Sequence, residues 1–202
     1  MVAIIGHGPS MLEHEYGAEI DEHATVIRMK RCEETLKHPE QYGTKTDIVC
    51  GSYTIALMLP QHMPKNEYWA FLDSRHDDLP WSVVGRMVEA VPCKILPELC
   101  FTWNTIYRAL RTPYDTPEGV QAFTPLGHNH MSAGLHTLLY ACEVLKPKEI
   151  TLYGFDNIKT GSQGWSITRG PDWNKYPDHR WDVEHQMIPM IEKEFDVEVV
   201  FK

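Results

Sequence analysis

The residues best suited to chemistry lie close together near the C-terminal end, in the segment P-D-H-R-W-D-V-E-H at positions 177–185. A helix is predicted over Arg180–Phe195, with an apolar stripe made of Trp181, Ile188, Ile191 and Phe195. Glu184 falls on that stripe, where a carboxylate is costly unless it is paired. A histidine at position 179 beside an inward-facing carboxylate is typical of a general base, which accelerates a reaction by roughly 10²–10⁴-fold. A capped helix start with a solvated His179 explains the same residues, and this segment alone favours neither interpretation.

A glycine-rich turn follows the first apolar run of the chain. Residues 2–10 read V-A-I-I-G-H-G-P-S, so a strand-like segment leads directly into Gly6, His7, Gly8, Pro9 and Ser10. Glycines at such a place let backbone N–H groups approach a phosphate, and a following helix N-terminus favours the anion. The spacing lacks the G-x-G-x-x-G of dinucleotide-binding proteins, and a tight strand–helix turn explains it equally well.

A third segment combines a helix start with a buried strand. Residues 130–142 read H-M-S-A-G-L-H-T-L-L-Y-A-C, and I-T-L-Y-G-F-D follows at 150–156. Ser132 stands where a helix N-cap is expected, with Gly134 just inside the helix. Either Ser132 only caps the helix, or Ser132 and the first-turn amides bind a carboxylate or a phosphate.

Strands and helices that position these residues can be read from the apolar patterns. Strands are predicted at Val2–Ile5, Thr25–Met29, Asp47–Cys50, Tyr68–Leu72, Glu149–Tyr153 and Val197–Phe201, several of them buried on both faces. Helices are predicted at Leu99–Leu110, Ser132–Leu145 and Arg180–Phe195. Strands that alternate with helices indicate a mostly parallel, Rossmann-like α/β sheet flanked by helices. The length of 202 residues fits one domain over residues 1–202.

The segment from Asp156 to His179 differs from the rest because it combines glycines and prolines with Trp165, Trp173 and Tyr176. A loop of that length inside a compact domain is usually functional or disordered. Aromatic side chains on a glycine-rich loop favour a lid over a ligand, about residues 156–179. A wrapped surface loop is the alternative.

Composition excludes several classes of protein. The net charge of -9 argues against duplex nucleic acid as a partner, because phosphate binding needs a basic surface. The five cysteines are scattered and odd in number, which favours reduced thiols in a cytoplasm. No stretch is long and apolar enough for a transmembrane segment, and no targeting segment is apparent at the N-terminus. We therefore expect a soluble, cytoplasmic protein.

Taken in order, the three motifs resemble the sialyltransferases of glycosyltransferase family 29, and more weakly the bacterial lipooligosaccharide sialyltransferases. Residues 2–51 look like the long N-terminal motif of that family, with its G-x-x-I-D, V-I-R-M and G-x-K-T pieces. Residues 131–156 look like the short motif, S-T-G and an apolar helix before Y-G-F. His179 and Glu184 match the final His-x4-Glu motif. The resemblance covers about half of the chain and implies a GT-A-like sialyltransferase variant of the Rossmann-like fold.

The resemblance also implies a role for each matching residue. The backbone of the turn that contains Gly6, Gly8 and Ser10 would hold the phosphate and ribose of a CMP-activated sugar. Ser132 and Gly134 would meet the carboxylate of the sugar or the nearby phosphate. The segment Gly154, Phe155 and Asp156 would border the cytidine. His179 would deprotonate the hydroxyl of a glycan or other acceptor for attack with inversion.

Several departures from the family pattern concern the donor. His7 and Lys30 stand where the family has asparagines that contact the donor, and Ala133 replaces the threonine of S-T-G. No second histidine lies between Asp156 and His179, where the family carries one that contacts the phosphate. Trp165 or another residue of the lid segment would then substitute for it. A different nucleotide sugar, or a non-catalytic nucleotide- or glycan-binding module on the same fold, remains an alternative.

Two other reaction classes are disfavoured. His128 and His130 could ligate a metal, but no third ligand is identifiable by spacing, and the sequence contains no Asp-x-Asp to clamp a metal-bound diphosphate. No metal is therefore expected. A hydrolase built on Ser10 lacks the G-x-S-x-G turn that such a nucleophile needs.

Overall fold

Seven parallel strands form one sheet in the computed structural model, which describes residues 1–30, 32–53, 67–72, 79–90, 93–111, 131–161 and 180–202. The strands are β1 (Val2–Ile5), β2 (Thr25–Met29), β3 (Ile48–Ser52), β4 (Glu67–Phe71), β5 (Lys94–Ile95), β6 (Glu149–Tyr153) and β7 (Glu198–Phe201). Their order in the sheet is β5-β4-β3-β2-β1-β6-β7, and all of these neighbours pair in parallel. The predicted Rossmann-like α/β sheet is confirmed. The two-residue strand β5 was not predicted, since two residues carry no readable alternation.

Helices connect the strands. They are α1 (Gly17–Glu22), α2 (Cys32–Thr35), α3 (Pro39–Tyr42), α4 (Trp81–Ala90), α5 (Pro97–Arg111), α6 (Ala133–Leu145), α7 (Asp156–Thr160) and α8 (Trp181–Phe195), and a 3-10 helix covers Pro9–Glu13. The three predicted helices are confirmed as α5, α6 and α8, whereas α1 to α4 and α7 were not predicted. The prediction of a loop from residue 156 onward was wrong at its start. The Thr160 hydroxyl donates to the Asp156 carbonyl, and Gly161 ends this short helix at a positive φ of 66°.

Both faces of the sheet are covered, which explains the unbroken apolar run in β1. All four residues of β1 are buried. Val2 and Ile4 join a large cluster with apolar residues of α5, α6 and α8. Ala3 and Ile5 face the opposite side, against Met11, Ile20, Tyr42 and their neighbours. A strand buried on both faces has no polar alternation to show.

The strand order changes direction between β1 and β6. From β1, strands β2 to β5 extend to one side, whereas β6 and β7 lie on the other. Open parallel sheets bind ligands outside the carboxyl ends of their strands, at the point where the order reverses. The turns that begin at Gly6 and Gly154 both leave the sheet at that point, so the fold brings two of the three predicted segments together.

Candidate active site

The turn after β1 and the turn after β6 are joined by backbone hydrogen bonds. The Gly6 N–H donates to the Tyr153 carbonyl at 2.7 Å, and the Gly8 N–H donates to the Gly154 carbonyl at 2.8 Å. These two N–H groups are therefore used within the protein. The predicted contact of this turn with a donor phosphate stays a prediction, and other groups of the turn would have to make it.

Glycine is required in both turns because they lie so close together. A Cβ on Gly6 would stand 2.3 Å from the Gly154 carbonyl oxygen, and one on Gly8 would stand 2.6 Å from the Asp156 carboxylate. Gly154 itself has a φ of 69°, a conformation that disfavours side chains. The glycines thus allow the two turns to pack in direct contact.

Asp156 receives both donors of Ser10. The Ser10 N–H lies 3.1 Å from Oδ2, and the Ser10 hydroxyl donates to Oδ1 at 2.5 Å. Ser10, Pro9 and Asp156 are half-buried, whereas Phe155 is buried. Ser10 and Asp156 therefore link the turn after β1 to the turn after β6 at the carboxyl edge of the sheet.

Glu184 is the most deeply buried carboxylate among the described residues, with 0% exposure. Its Oε1 accepts the Ser132 N–H at 2.7 Å, and its Oε2 accepts the Ser132 hydroxyl at 2.6 Å. The Ser132 hydroxyl oxygen in turn accepts a hydrogen bond from the Leu135 N–H at 3.2 Å, so Ser132 is the N-cap of α6 as predicted. Both Ser132 donors thus meet a carboxylate of the protein, and a contact between Ser132 and a ligand stays a prediction.

Burial raises the pKa of Glu184 to about 8, although both hydrogen bonds from Ser132 act to lower it. Burial disfavours the charged form, and hydrogen bonds to the carboxylate favour it. Gly134 follows in the first turn of α6, and a Cβ there would stand 2.7 Å from the Phe155 ring. The start of α6 therefore packs against the turn after β6 and joins the third segment to the other two.

His179 and Trp165, and the rest of the predicted lid up to residue 179, lie outside the described residues. The residue after His179 is fixed by the core, because the Arg180 N–H donates to the Tyr107 hydroxyl at 3.2 Å. The Arg180 guanidinium also binds Asp182 through two hydrogen bonds of 2.9 and 2.6 Å. These hydrogen bonds lower the pKa of the Asp182 carboxyl. The start of α8 is thus held from two directions.

Lys30 and His7 both lie at the carboxyl edge of the sheet. Lys30 follows β2, where its N–H continues the ladder by donating to the Cys50 carbonyl at 2.9 Å. His7 lies between the two glycines of the turn after β1, and both residues are half-buried. They occupy the edge at which a ligand is expected.

A buried arginine holds the other pieces of the long motif together. Arg28 is 0% exposed, and burial lowers its pKa to about 10. Its guanidinium donates to the Tyr42 carbonyl at 2.8 Å and to the Lys45 carbonyl at 3.0 Å. Asp21 accepts the N–H groups of Thr44 and Lys45 at 2.8 to 3.0 Å. The V-I-R-M, G-x-x-I-D and G-x-K-T pieces therefore form a scaffold, a role that their spacing did not reveal.

Tyr42 connects that scaffold to the glycine turn. Its hydroxyl donates to the Gly8 carbonyl at 3.1 Å, and its side chain is fully buried. Burial, and then the charge of Asp156, raise the pKa of this hydroxyl well above its ordinary value. Sequence analysis missed Tyr42, whose one signal was its place directly before Gly43 in Y-G-T-K-T.

The family model described as glycosyltransferase family 29 (sialyltransferase) matches residues 2–197, nearly the whole chain. The chain belongs to glycosyltransferase family 29. It is a sialyltransferase-like glycosyltransferase, as the motifs predicted.

Solved structures share the fold of this family 29 protein. A mammalian sialyltransferase in complex with Gal-beta-1-3GalNAc-ortho-nitrophenol is 17% identical, with a TM-score of 0.52 over 98% of this chain and 68% of that one. Monomeric CstII is 15% identical, with a TM-score of 0.54 over 99% and 80%. The alpha-2,3-sialyltransferase from Campylobacter jejuni is 16% identical, with a TM-score of 0.54 over 99% and 74%. A search of curated proteins found no match.

Two properties can be stated of the described part of this family 29 protein. None of its helices has the length and apolar character needed to cross a membrane. No group of three or more His, Cys, Asp or Glu residues within the described ranges could hold a metal ion. His128 and His130 lie outside those ranges.

Proposed function

We propose that this family 29 protein transfers sialic acid, or a related keto-sugar acid, from a CMP-activated donor to an acceptor hydroxyl with inversion. The observation that carries the proposal is the meeting of the two glycine turns at the β1/β6 switch point, with Glu184 joining α8 to α6 beside them. Sialyltransferases of the family use CMP-sugar donors. Residues 1–202 would act as one catalytic domain, and the scattered cysteines support a cytoplasmic location.

The donor would bind across the switch point. The turn with Gly6, Gly8 and Ser10 would lie under the phosphate and ribose, and the segment from Gly154 to Asp156 would border the cytidine. Lys30 follows β2 at the same edge, where an ammonium is a compact cation suited to phosphate or carboxylate. The family has a neutral asparagine at this place, so Lys30 would add charge to the donor site.

His179 would act as the general base that takes the proton of the acceptor hydroxyl. Glu184 would be a positioning residue, because both of its oxygens are engaged by Ser132 within the core. That contact fixes the first turn of α8, and the Tyr107 hydroxyl fixes the Arg180 backbone directly after His179. A base held in one geometry by its neighbours is more effective than one on a free loop.

We further propose that the reaction needs no metal ion. The departing group of a CMP-sugar is a phosphate monoester, whose second pKa of about 6 makes it a good leaving group. The sequence contains no Asp-x-Asp clamp for a metal-bound diphosphate. The chain's own cations and hydrogen-bond donors would therefore carry the developing charge.

Incubation with CMP-N-acetylneuraminic acid and Gal-beta-1-3GalNAc-ortho-nitrophenol tests the proposal. Released CMP and the sialylated product are measured by mass spectrometry, and the anomeric configuration of the product by NMR. We expect both products, with inverted configuration, and tighter binding of CMP than of UMP or GMP. Binding of CMP without turnover would identify a non-catalytic module instead. A preference for UMP or GMP would point to another nucleotide sugar.

A further inference from the structure

Asn104 is a buried side chain with an unused acceptor. It lies on α5 with 0% exposure, and its Nδ2 approaches the Leu72 carbonyl oxygen at 3.4 Å. Its Oδ1 accepts no hydrogen bond from any residue that the structure describes. Buried polar atoms nearly always have a partner, and leaving one without a donor is costly.

The orientation of the Asn104 amide follows from its neighbour. A backbone carbonyl can only accept a hydrogen bond, so the nitrogen of the side chain must face Leu72. The oxygen is then left as the free atom, and a ligand that binds it must donate. A hydroxyl group can donate in this way. A carboxylate or a phosphate has only acceptor oxygens, which the oxygen of Asn104 would repel.

The position of Asn104 connects it to the start of α8. Leu72 directly follows β4 at the carboxyl edge of the sheet. Tyr107 lies three residues after Asn104, and residues with that spacing share one face of a helix. The Tyr107 hydroxyl accepts the Arg180 N–H at 3.2 Å. Asn104 thus lies on the face of α5 that meets the beginning of α8, where His179 immediately precedes Arg180 in the sequence.

Asn104 also lies away from the proposed nucleotide site. Strands β3 and β2 separate β4 from β1 in the sheet, and three strand spacings of about 4.8 Å place β4 roughly 14 Å from β1. The anionic donor and the lone oxygen of Asn104 are therefore on different parts of the same edge.

We propose that Asn104 Oδ1 accepts a hydrogen bond from a hydroxyl of a neutral sugar acceptor, next to the hydroxyl that reacts. The inference rests on the proposed transferase function and adds to it one residue that selects the acceptor. It assigns Asn104 to the binding of uncharged hexose hydroxyls, as in galactose, and not to binding of the nucleotide.

The test compares the wild type with Asn104→Leu, which removes the amide and keeps the branched shape of the side chain. The control is Thr105→Ala on the exposed side of the same helix. Probes are galactose, its monodeoxy derivatives and Gal-beta-1-3GalNAc-ortho-nitrophenol, with CMP-N-acetylneuraminic acid as donor. We expect the KM for acceptor to rise roughly 3- to 15-fold in Asn104→Leu, as for one lost hydrogen bond, while the KM for donor stays near that of the wild type. The melting temperature should change little, because the substitution removes the unsatisfied buried oxygen together with only one long hydrogen bond, of 3.4 Å, to the Leu72 carbonyl.

One monodeoxy galactose that retains the reacting hydroxyl should bind the wild type more weakly than galactose does. The same two sugars should bind Asn104→Leu equally well. Asn104→Ala provides the same comparison if leucine does not fit. An unchanged KM for acceptor overturns the inference, and so does a loss of stability accompanied by equal rises in the KM for donor and the KM for acceptor. Donor cleavage by the wild type with no transfer to either sugar overturns it too. A wild type that neither binds CMP nor cleaves the donor overturns the proposed function itself.

Discussion

Glu184 holds Ser132 by two hydrogen bonds, of 2.7 Å from the backbone N–H and 2.6 Å from the hydroxyl, although 52 residues separate the two in sequence. The contact closes the N-terminal end of α6 against the first turn of α8. Because His179 precedes α8 by two residues, this pair is the anchor from which the chain approaches the proposed base.

The titration of Glu184 predicts how stability depends on pH. Its pKa is about 8 in the folded protein against an ordinary value of 4.5. Between these values the folded state binds more protons than the unfolded state, so the free energy of unfolding falls as pH rises. We expect the stability of Glu184→Gln to lack this dependence on pH. In thermal melts from pH 5 to 8.5, its melting temperature should therefore rise relative to that of the wild type as pH increases. Parallel melting curves over that range would show that Glu184 does not titrate there.

Replacement of His179 tests the base. His179→Ala should reduce turnover by about 10²–10⁴-fold, because proton transfer is lost, and should change donor affinity little. His185→Gln is the matched control on α8, since His185 Nδ1 contacts the Ile158 carbonyl at 2.9 Å and glutamine can still donate there. Turnover by His179→Ala close to that of the wild type would remove His179 from the mechanism.

Replacement of Lys30 tests charge at the donor site. Lys30→Ala should weaken binding of CMP by roughly 1.5–3 kcal/mol, as for loss of a charged hydrogen bond, with little effect on cytidine. The control is Lys37→Ala, which removes an exposed lysine paired with Glu34 at 2.7 Å. Isothermal titration calorimetry measures the affinity of each variant for CMP and for cytidine. An equal loss for the two ligands would show that Lys30 does not bind the phosphate.

Alanine at Gly6 tests the contact between the two turns. A Cβ there would stand 2.3 Å from the Gly154 carbonyl oxygen, so Gly6→Ala should lower the free energy of unfolding by about 1–3 kcal/mol. At Gly85 in α4 nothing lies within 4 Å of an added Cβ. Gly85→Ala should therefore raise the free energy of unfolding by about 0.5–1 kcal/mol. Urea denaturation measures the free energy of unfolding of both variants. Equal changes in Gly6→Ala and Gly85→Ala would contradict the close packing of the turns.

Chelation tests the proposed independence from metal. Transfer from CMP-N-acetylneuraminic acid should survive excess EDTA, and added Mg²⁺ or Mn²⁺ should stimulate it only slightly, because the phosphate leaves without a metal clamp. The rate of CMP release is the measurement. Activity that is abolished by EDTA and restored by one divalent ion would require a metal in the mechanism.

The sequence by itself determined the elements that could be read locally. Apolar runs gave strands β1, β2 and β6 with their bounds, and periodicity with a capping residue gave the helix that begins after Ser132. The inward position of Glu184 was also predicted, because it depends only on the helical repeat of its own segment. The order of the motifs was sufficient to indicate the family.

Only the tertiary structure decided which groups these residues contact. The partner of Glu184, the use of the Gly8 N–H by Gly154, and the donors that Arg28 directs at Tyr42 and Lys45 all join segments that are distant in sequence. Helical and strand periodicity fix the direction of a side chain within its own element. The hydrogen-bond partner of a buried polar group is set by the elements that pack against it, and that packing is decided by the whole sheet.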